Sequence, residues 1–216
     1  ELLRAAGEPY GIADAGYRLV SNVGTWVGRV GQDRLVLTVL TAGSATALGV
    51  VTGLQFLPFL LLAPWAGLIA DRFPKRRTLL LTQSMLAVSS LLLGVLAVTG
   101  LAELWHVYLI ALLQGITTAI DNPTRQAFVS EMVPSDKLAN AVSLNSASFN
   151  LGRLIGPGVA GLVIAAWGTG QALLLNTVTF VFVIVALLML RALELVPAPL
   201  AKARGGIREG FRYVRN

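Results

Sequence analysis

Long apolar runs alternate along this chain with short connections rich in helix breakers and charge. Six runs come close to or exceed the roughly 20 residues a helix needs to cross a bilayer. They are predicted over residues 17–40, 45–70, 78–99, 104–120, 141–167 and 172–190. The connections "TAGSAT", "DRFPKRR", "TGLAEL", "VPSDKL" and "WGTG" are turn-forming. Spans one and five are the least apolar, because Arg29, Asp33 and Arg34 fall in the first and Arg153 in the fifth.

The charges of the connections set a direction. After spans two, four and six stand Arg72, Lys75, Arg76, Arg77, Arg125, Lys137, Arg191, Lys202, Arg204, Arg208, Arg212 and Arg215; after spans one, three and five there is no Lys or Arg. Positive charge marks the cytoplasmic side. The expected organisation is therefore a cytoplasmic segment over 1–16, a transmembrane bundle over 17–190 and a cytoplasmic segment over 191–216, in the plasma (cytoplasmic) membrane. In the last segment Arg208, Arg212 and Arg215 share one helical face and Ile207, Phe211 and Val214 another. That pattern suits either a helix lying on the inner membrane surface or a solvated linker. The chain begins at Glu1 without a signal-peptide pattern and stops inside "GIREGFRYVRN", as expected of a piece of a longer polypeptide.

Composition supports the membrane reading. Of 216 residues 55% are hydrophobic and 13% charged, against about 25% charged in soluble domains. The net charge of +6 sits between apolar runs and forms no continuous basic face with interleaved aromatics, which argues against nucleic acid. There is no cysteine and one histidine, His106, so neither a disulfide framework nor a thiolate or histidine metal site is open to the chain. No metal or cofactor is implied. A six-span intramembrane protease would need a Gly-x-Ser-x-Gly type nucleophile and a histidine in a later span. Ser89 and Ser90 lack that setting, and His106 lies at an outer loop beside Trp105. An enzyme is not expected.

One stretch carries more than topology. "GLIADRFPKRR", Gly67 to Arg77, places Gly67 four residues before Asp71 and follows Asp71 and Arg72 with Lys75, Arg76 and Arg77. Stop-transfer charge alone would ask for the basic residues, but not for Gly67 or Asp71. A glycine lets span two approach a neighbouring helix closely. Asp71, at the end of that span, can accept hydrogen bonds or face the positive end of another helix. The basic residues can reach lipid phosphates or acidic groups, and Asp121, at the inner end of span four, is a candidate partner.

This stretch resembles the loop 2–3 signature of the major facilitator superfamily, and it stands between the same two spans. "SNVGTWVGRVGQDRLVL", "GLQFLPFLLLAPWAG", "DNPTRQAFVSEMVP" and "GRLIGPGVAG" also resemble, in order, segments of the efflux branch that includes siderophore and multidrug exporters. The resemblance implies an all-α membrane protein, the N-terminal six-helix bundle of a twelve-helix transporter. It implies as partners a small-molecule substrate, protons, the lipid bilayer and a second, C-terminal six-helix half. It implies that Gly67, Asp71, Arg72, Lys75, Arg76, Asp121 and Arg125 form a cytoplasmic gate that latches the two halves in the outward-facing state. Gly152, Gly156, Pro157 and Gly161 are similar to the antiporter signature of exporters. The chain departs from the family at Pro74, where glycine is common, at Lys75, where arginine is usual, and before Gly115, where the span-four arginine is absent. Lysine cannot make the planar two-pronged contact of arginine.

The spans carry further chemistry. A charge at the bilayer centre costs about 2.5–3.5 kcal/mol on insertion scales, and intramembrane ionisable groups are functional by default. Arg29 and Asp33 are four apart and share a helix face, and Asp33 can pair with Arg29 or, across the bundle, with Arg153. These residues, with Gln55 and Asn150, are the candidate proton and substrate cavity. Gln114, Asn145 and Asn176 are expected to bond neighbouring helices instead. In span five the small residues four apart form a packing seam with Pro157 as a kink, while Pro123 is expected to end or bend span four between Asp121 and Arg125. The reading that follows is a proton-coupled exporter working by alternating access; a non-transporting membrane sensor or an inactive half is the alternative.

Overall fold

The computed structural model describes residues 11–132 and 138–189, with side chains over 21–128, at 139 and over 142–189. Residues 1–10 of the expected segment 1–16, Lys137 and the expected segment 191–216, the tail arginines among it, lie outside the described residues. The described chain is helical from end to end: α1 (Gly11–Arg34), α2 (Ala45–Arg72), α3 (Lys75–Thr99), α4 (Leu104–Met132), α5 (Leu138–Trp167) and α6 (Thr169–Met189). After Arg34, α1 widens into a π-helical stretch, Leu35–Leu40. Five of the six, α2 to α6, are long and apolar enough to cross a membrane. The first is not, because Arg29, Asp33 and Arg34 fall inside it.

The helix ends are fixed by local chemistry. Ser44 caps α2, its hydroxyl accepting from the Ala47 amide at 3.3 Å. Gly100 takes a φ of +72° at the end of α3, and the amides of Leu101 and Ala102 then close on the Leu96 carbonyl, each at 3.0 Å. That left-handed turn suits a residue without a Cβ. Pro123 does not end α4, which continues past the expected limit at residue 120 to Met132. Around the proline, the Thr124 hydroxyl bonds the Ile120 carbonyl at 2.8 Å and Arg125 bonds Asp121 one turn back. Such side-chain bonds are how membrane helices tolerate proline.

The helices follow one another in space in the order α2, α4, α3, α6, α1, α5. The bundle is thus an arc with α2 and α5 at its two ends. Three apolar clusters fill it. Leu35, Val36, Val51, Leu93, Val107 and Leu173 knit five elements near the connections that lack Lys and Arg. Val27, Ala160, Ile164 and Ala172 join α1, α5 and α6. Leu79, Phe128, Val183 and Leu187 join α3, α4 and α6 at the basic end. Outside this core the surface is apolar: Leu60 on α2 is 74% exposed and Leu154 on α5 79%. A helical surface of that kind suits lipid or a second apolar body, not water.

Candidate functional site

Glycines decide how deeply α1 sits. Gly24, Gly28 and Gly31 stand at spacings of four and three, and a Cβ on each would meet Thr179, Asn176 and Leu173 of α6. The sequence signal is "VGTWVGRVG", small residues repeating at a helical period beside the charges of the same helix. From the other side, Gly152 and Gly156 of α5 receive the backbone end of Asn22 and Trp26. The expected seam in α5 therefore exists at Gly152 and Gly156 and closes on α1. It does not extend to Gly158 or Gly161, where an added Cβ would meet nothing within 4 Å; buried Ala160 continues it instead.

With its glycines turned to α6, α1 presents Asn22, Trp26, Arg29 and Asp33 along another face. The Arg29 guanidinium carbon lies 5.7 Å from the Trp26 ring centroid and 5.1 Å from that of Phe56 on α2. Both are within cation–π range, worth about 0.5–2 kcal/mol according to solvation. Arg29 and Asp33 are each half-buried and within electrostatic range of one another. The expected ion pairs are absent: among the described residues Asp33 closes with neither Arg29 nor Arg153. Arg153 and Asn150 are exposed on α5, and the Asn150 amide turns back to the Ser146 carbonyl at 2.9 Å.

Next to this face, Gln55 of α2 donates to Gln114 of α4 across a long 3.5 Å contact. The two helices come that close because of Gly115, where a Cβ would stand 2.6 Å from the Gln55 carbonyl oxygen. Arg29, Gln55 and Gln114 all lie roughly ten residues in from the ends of their helices that lack Lys and Arg, about 15 Å at the helical rise. They form one polar layer near mid-membrane depth. Asn176, by contrast, is buried and donates to Ser90 on α3 at 3.2 Å, the packing role expected of it.

The basic end is built differently. Asp121 is 4% exposed and accepts from the Thr82 hydroxyl at 2.6 Å, the Gln83 amide at 2.8 Å and the Arg125 guanidinium at 3.0 and 3.2 Å. Its place is thus filled by its own helix and α3. Arg76 reaches the far side, donating to the Leu187 and Leu188 carbonyls at 2.8 and 3.0 Å. It caps α6, where the last carbonyls lack helical partners and the macrodipole favours a cation. Lys75 is buried, whereas Asp71, Arg72 and Arg77 are exposed. Gly67 corrects its expectation: a Cβ there would meet nothing within 4 Å, so it brings α2 close to no other helix of the described bundle. The gate motif is divided accordingly. Lys75, Arg76, Asp121 and Arg125 are built into the bundle, and Gly67, Asp71 and Arg72 are left on the open end of α2.

Comparison with known proteins adds identity to this geometry. Residues 17–216 match the model of a major facilitator family described as transmembrane secretion effector. The chain is 35% identical to the staphyloferrin A transporter of Staphylococcus aureus over 73% of its length and 40% of that protein's. It is 32% identical to the multidrug efflux pump Tap of Mycolicibacterium fortuitum over 80% of the chain and 44% of the pump. It is 25% identical to the enterobactin exporter EntS of Shigella flexneri over 82% of the chain and 40% of the exporter. The chain spans well under half the length of these curated relatives.

Proposed function

The chain belongs to the transmembrane secretion effector family of the major facilitator superfamily, and from that premise we propose that it forms the N-terminal half of a proton-coupled exporter of small molecules. In this reading the six helices span the plasma membrane with both ends of the chain cytoplasmic. They pair with a second six-helix half and rock against it around a site near the bilayer midplane. The efflux relatives support an outward direction of transport. The alternating loop charges support the orientation.

The observation that carries the proposal is the polar face of α1. Arg29 and Asp33 are half-buried in α1, within electrostatic range of one another but not closed into an ion pair. Such charges are retained in a membrane when a pathway needs them. Asp33 exchanges the proton, and its charge state biases which side of the membrane the cavity faces. Arg29, Gln55, Asn150 and Arg153 line the route of the substrate. At the basic end, Gly67, Asp71 and Arg72 engage the second half when the inner gate is shut, while the built-in residues Lys75, Arg76, Asp121 and Arg125 hold the gate's base rigid.

The test is Asp33→Asn in the full-length protein, assayed by proton-driven uptake into inverted vesicles with efflux substrates of the relatives as probes. Uptake is expected to vanish while the amount of inserted protein stays unchanged. Uptake at the normal rate would overturn the role of Asp33.

A further inference from the structure

Two opposite charges one helical turn apart that do not close on each other are an unusual feature of a low-dielectric site. Their order explains it. On a helix, an acid preceding a base by four residues pairs well, and the reverse order pairs poorly. Arg29 precedes Asp33, the less favourable order for closing the pair. Arg29 is also held elsewhere, between the Trp26 and Phe56 rings at 5.7 and 5.1 Å. The planar fork of guanidinium N–H donors is the group that matches a carboxylate. Among the described residues, the structure gives those donors no hydrogen-bond or ion-pair partner.

We propose that Arg29 and Asp33 together recognise a zwitterionic group of the substrate, its carboxylate on the Arg29 edge and its ammonium on Asp33, with the attached apolar body against Trp26 and Phe56. The proposal rests on the reading of this face as the substrate route. A carboxylate alone would be drawn to Arg29 and repelled by Asp33, and an ammonium alone the reverse. Only a group carrying both signs gains at each contact. Exchange follows from the same geometry: a proton on Asp33 removes the negative charge that holds the ammonium and weakens the hold on the substrate, the antagonism an antiporter needs.

The experiment uses the full-length protein in nanodiscs, with every tryptophan except Trp26 replaced by phenylalanine, and follows Trp26 emission. Three probes share one apolar body: phenylalanine (zwitterion), 3-phenylpropanoate (carboxylate only) and 2-phenylethylamine (ammonium only). Phenylalanine is expected to change the emission at about tenfold lower concentration than either relative, the factor of one added charged contact. Arg29→Gln should abolish its advantage over phenylethylamine, and Asp33→Asn its advantage over phenylpropanoate. If Arg29→Gln fails to accumulate, Arg29→Lys keeps the charge without the fork, and should weaken the two carboxylate probes while leaving phenylethylamine unchanged. Equal response to all three probes, or variants that weaken all three alike, would overturn the proposal. Binding is read without a proton gradient, so the outcome is separate from transport. Selective binding with normal export by Asp33→Asn sinks the coupling and keeps the site. Lost export without probe selectivity does the opposite.

Discussion

Two of the opposite-charge pairs four residues apart within single helices, Asp121–Arg125 and Arg29–Asp33, behave in opposite ways. Asp121 and Arg125 close at 3.0 Å, and Thr82 and Gln83 fill the remaining sites of the carboxylate. Arg29 and Asp33 stay open. Spacing is the same; order differs. In α4 the acid comes first, the order in which side-chain direction and helix dipole favour the pair, and in α1 it comes second. One pair is thereby spent on holding α3 and α4 together, and the other remains available to something outside the bundle. An ionisable pair within a membrane span is evidence of function only when its hydrogen-bonding capacity is left over.

The largest test of this contrast is to delete each acid. Asp121→Ala leaves Arg125 without its carboxylate and the buried Gln83 amide without its acceptor. Breaking a buried pair costs about 3–5 kcal/mol, and here about 3 kcal/mol is expected because Arg125 is partly exposed and can turn to water. Asp33→Ala, with no bond to lose, should change stability by less than about 0.5 kcal/mol. Thermal unfolding of the full-length protein in detergent compares the two. Equal losses would erase the distinction between a built-in pair and an open one.

Arg76 sharpens the same contrast within the gate motif. Its two bonds to the end of α6 make it part of the fold, so Arg76→Ala should cost about 1 kcal/mol in the same measurement. Arg72→Ala, exposed on α2, should cost nothing measurable there. A smaller step reverses the open pair: Arg29→Asp with Asp33→Arg puts the acid first. Closing the pair gains about 0.3–0.5 kcal/mol, but the Arg29 contacts with Trp26 and Phe56 are given up, so stability should hold or fall slightly. Export should fall, because neither charge is then free for substrate or proton. Normal export by the reversed pair would mean that the open geometry is not used.

Much of the fold could be read from the sequence because a bilayer leaves so few choices. Some twenty apolar residues between short turn-forming connections point to a spanning helix, and the ends of α2, α3 and α5 fall close to their predicted limits. Interhelical contacts were far less legible. Small residues at a helical period announce a close approach without saying to which helix. Gly152 and Gly156 meet α1, the unmarked Gly24 and Gly28 meet α6, and Gly161 meets nothing. Charges were ambiguous for the same reason. Asp121 could be placed at the inner end of α4 by counting, but Thr82 and Gln83 come to it only through the packing of α3. Whether Arg29 and Asp33 would pair was decided by order along the helix and by Phe56 on a neighbouring one.

Gly67 is the limiting case, with neither partner nor neighbour in the described bundle. Gly67→Ala adds a methyl group into open space and, inside a helix, replaces the residue of poorer propensity by the better one. On the bundle alone it should stabilise by up to about 1 kcal/mol. If Gly67 instead marks where the second half closes on α2, the same methyl group obstructs a helix–helix contact of the small-residue kind. The full-length protein should then unfold no earlier than wild type, yet export more slowly. Substitution by alanine and then valine separates the two effects, since the obstruction grows with side-chain volume while the propensity gain is lost at valine. A graded fall in export from glycine to alanine to valine, with the thermal transition unmoved or raised at alanine, places the missing neighbour of Gly67 in the second half. Export that is indifferent to both substitutions leaves the glycine without a role in the gate and restricts the latch to Asp71 and Arg72.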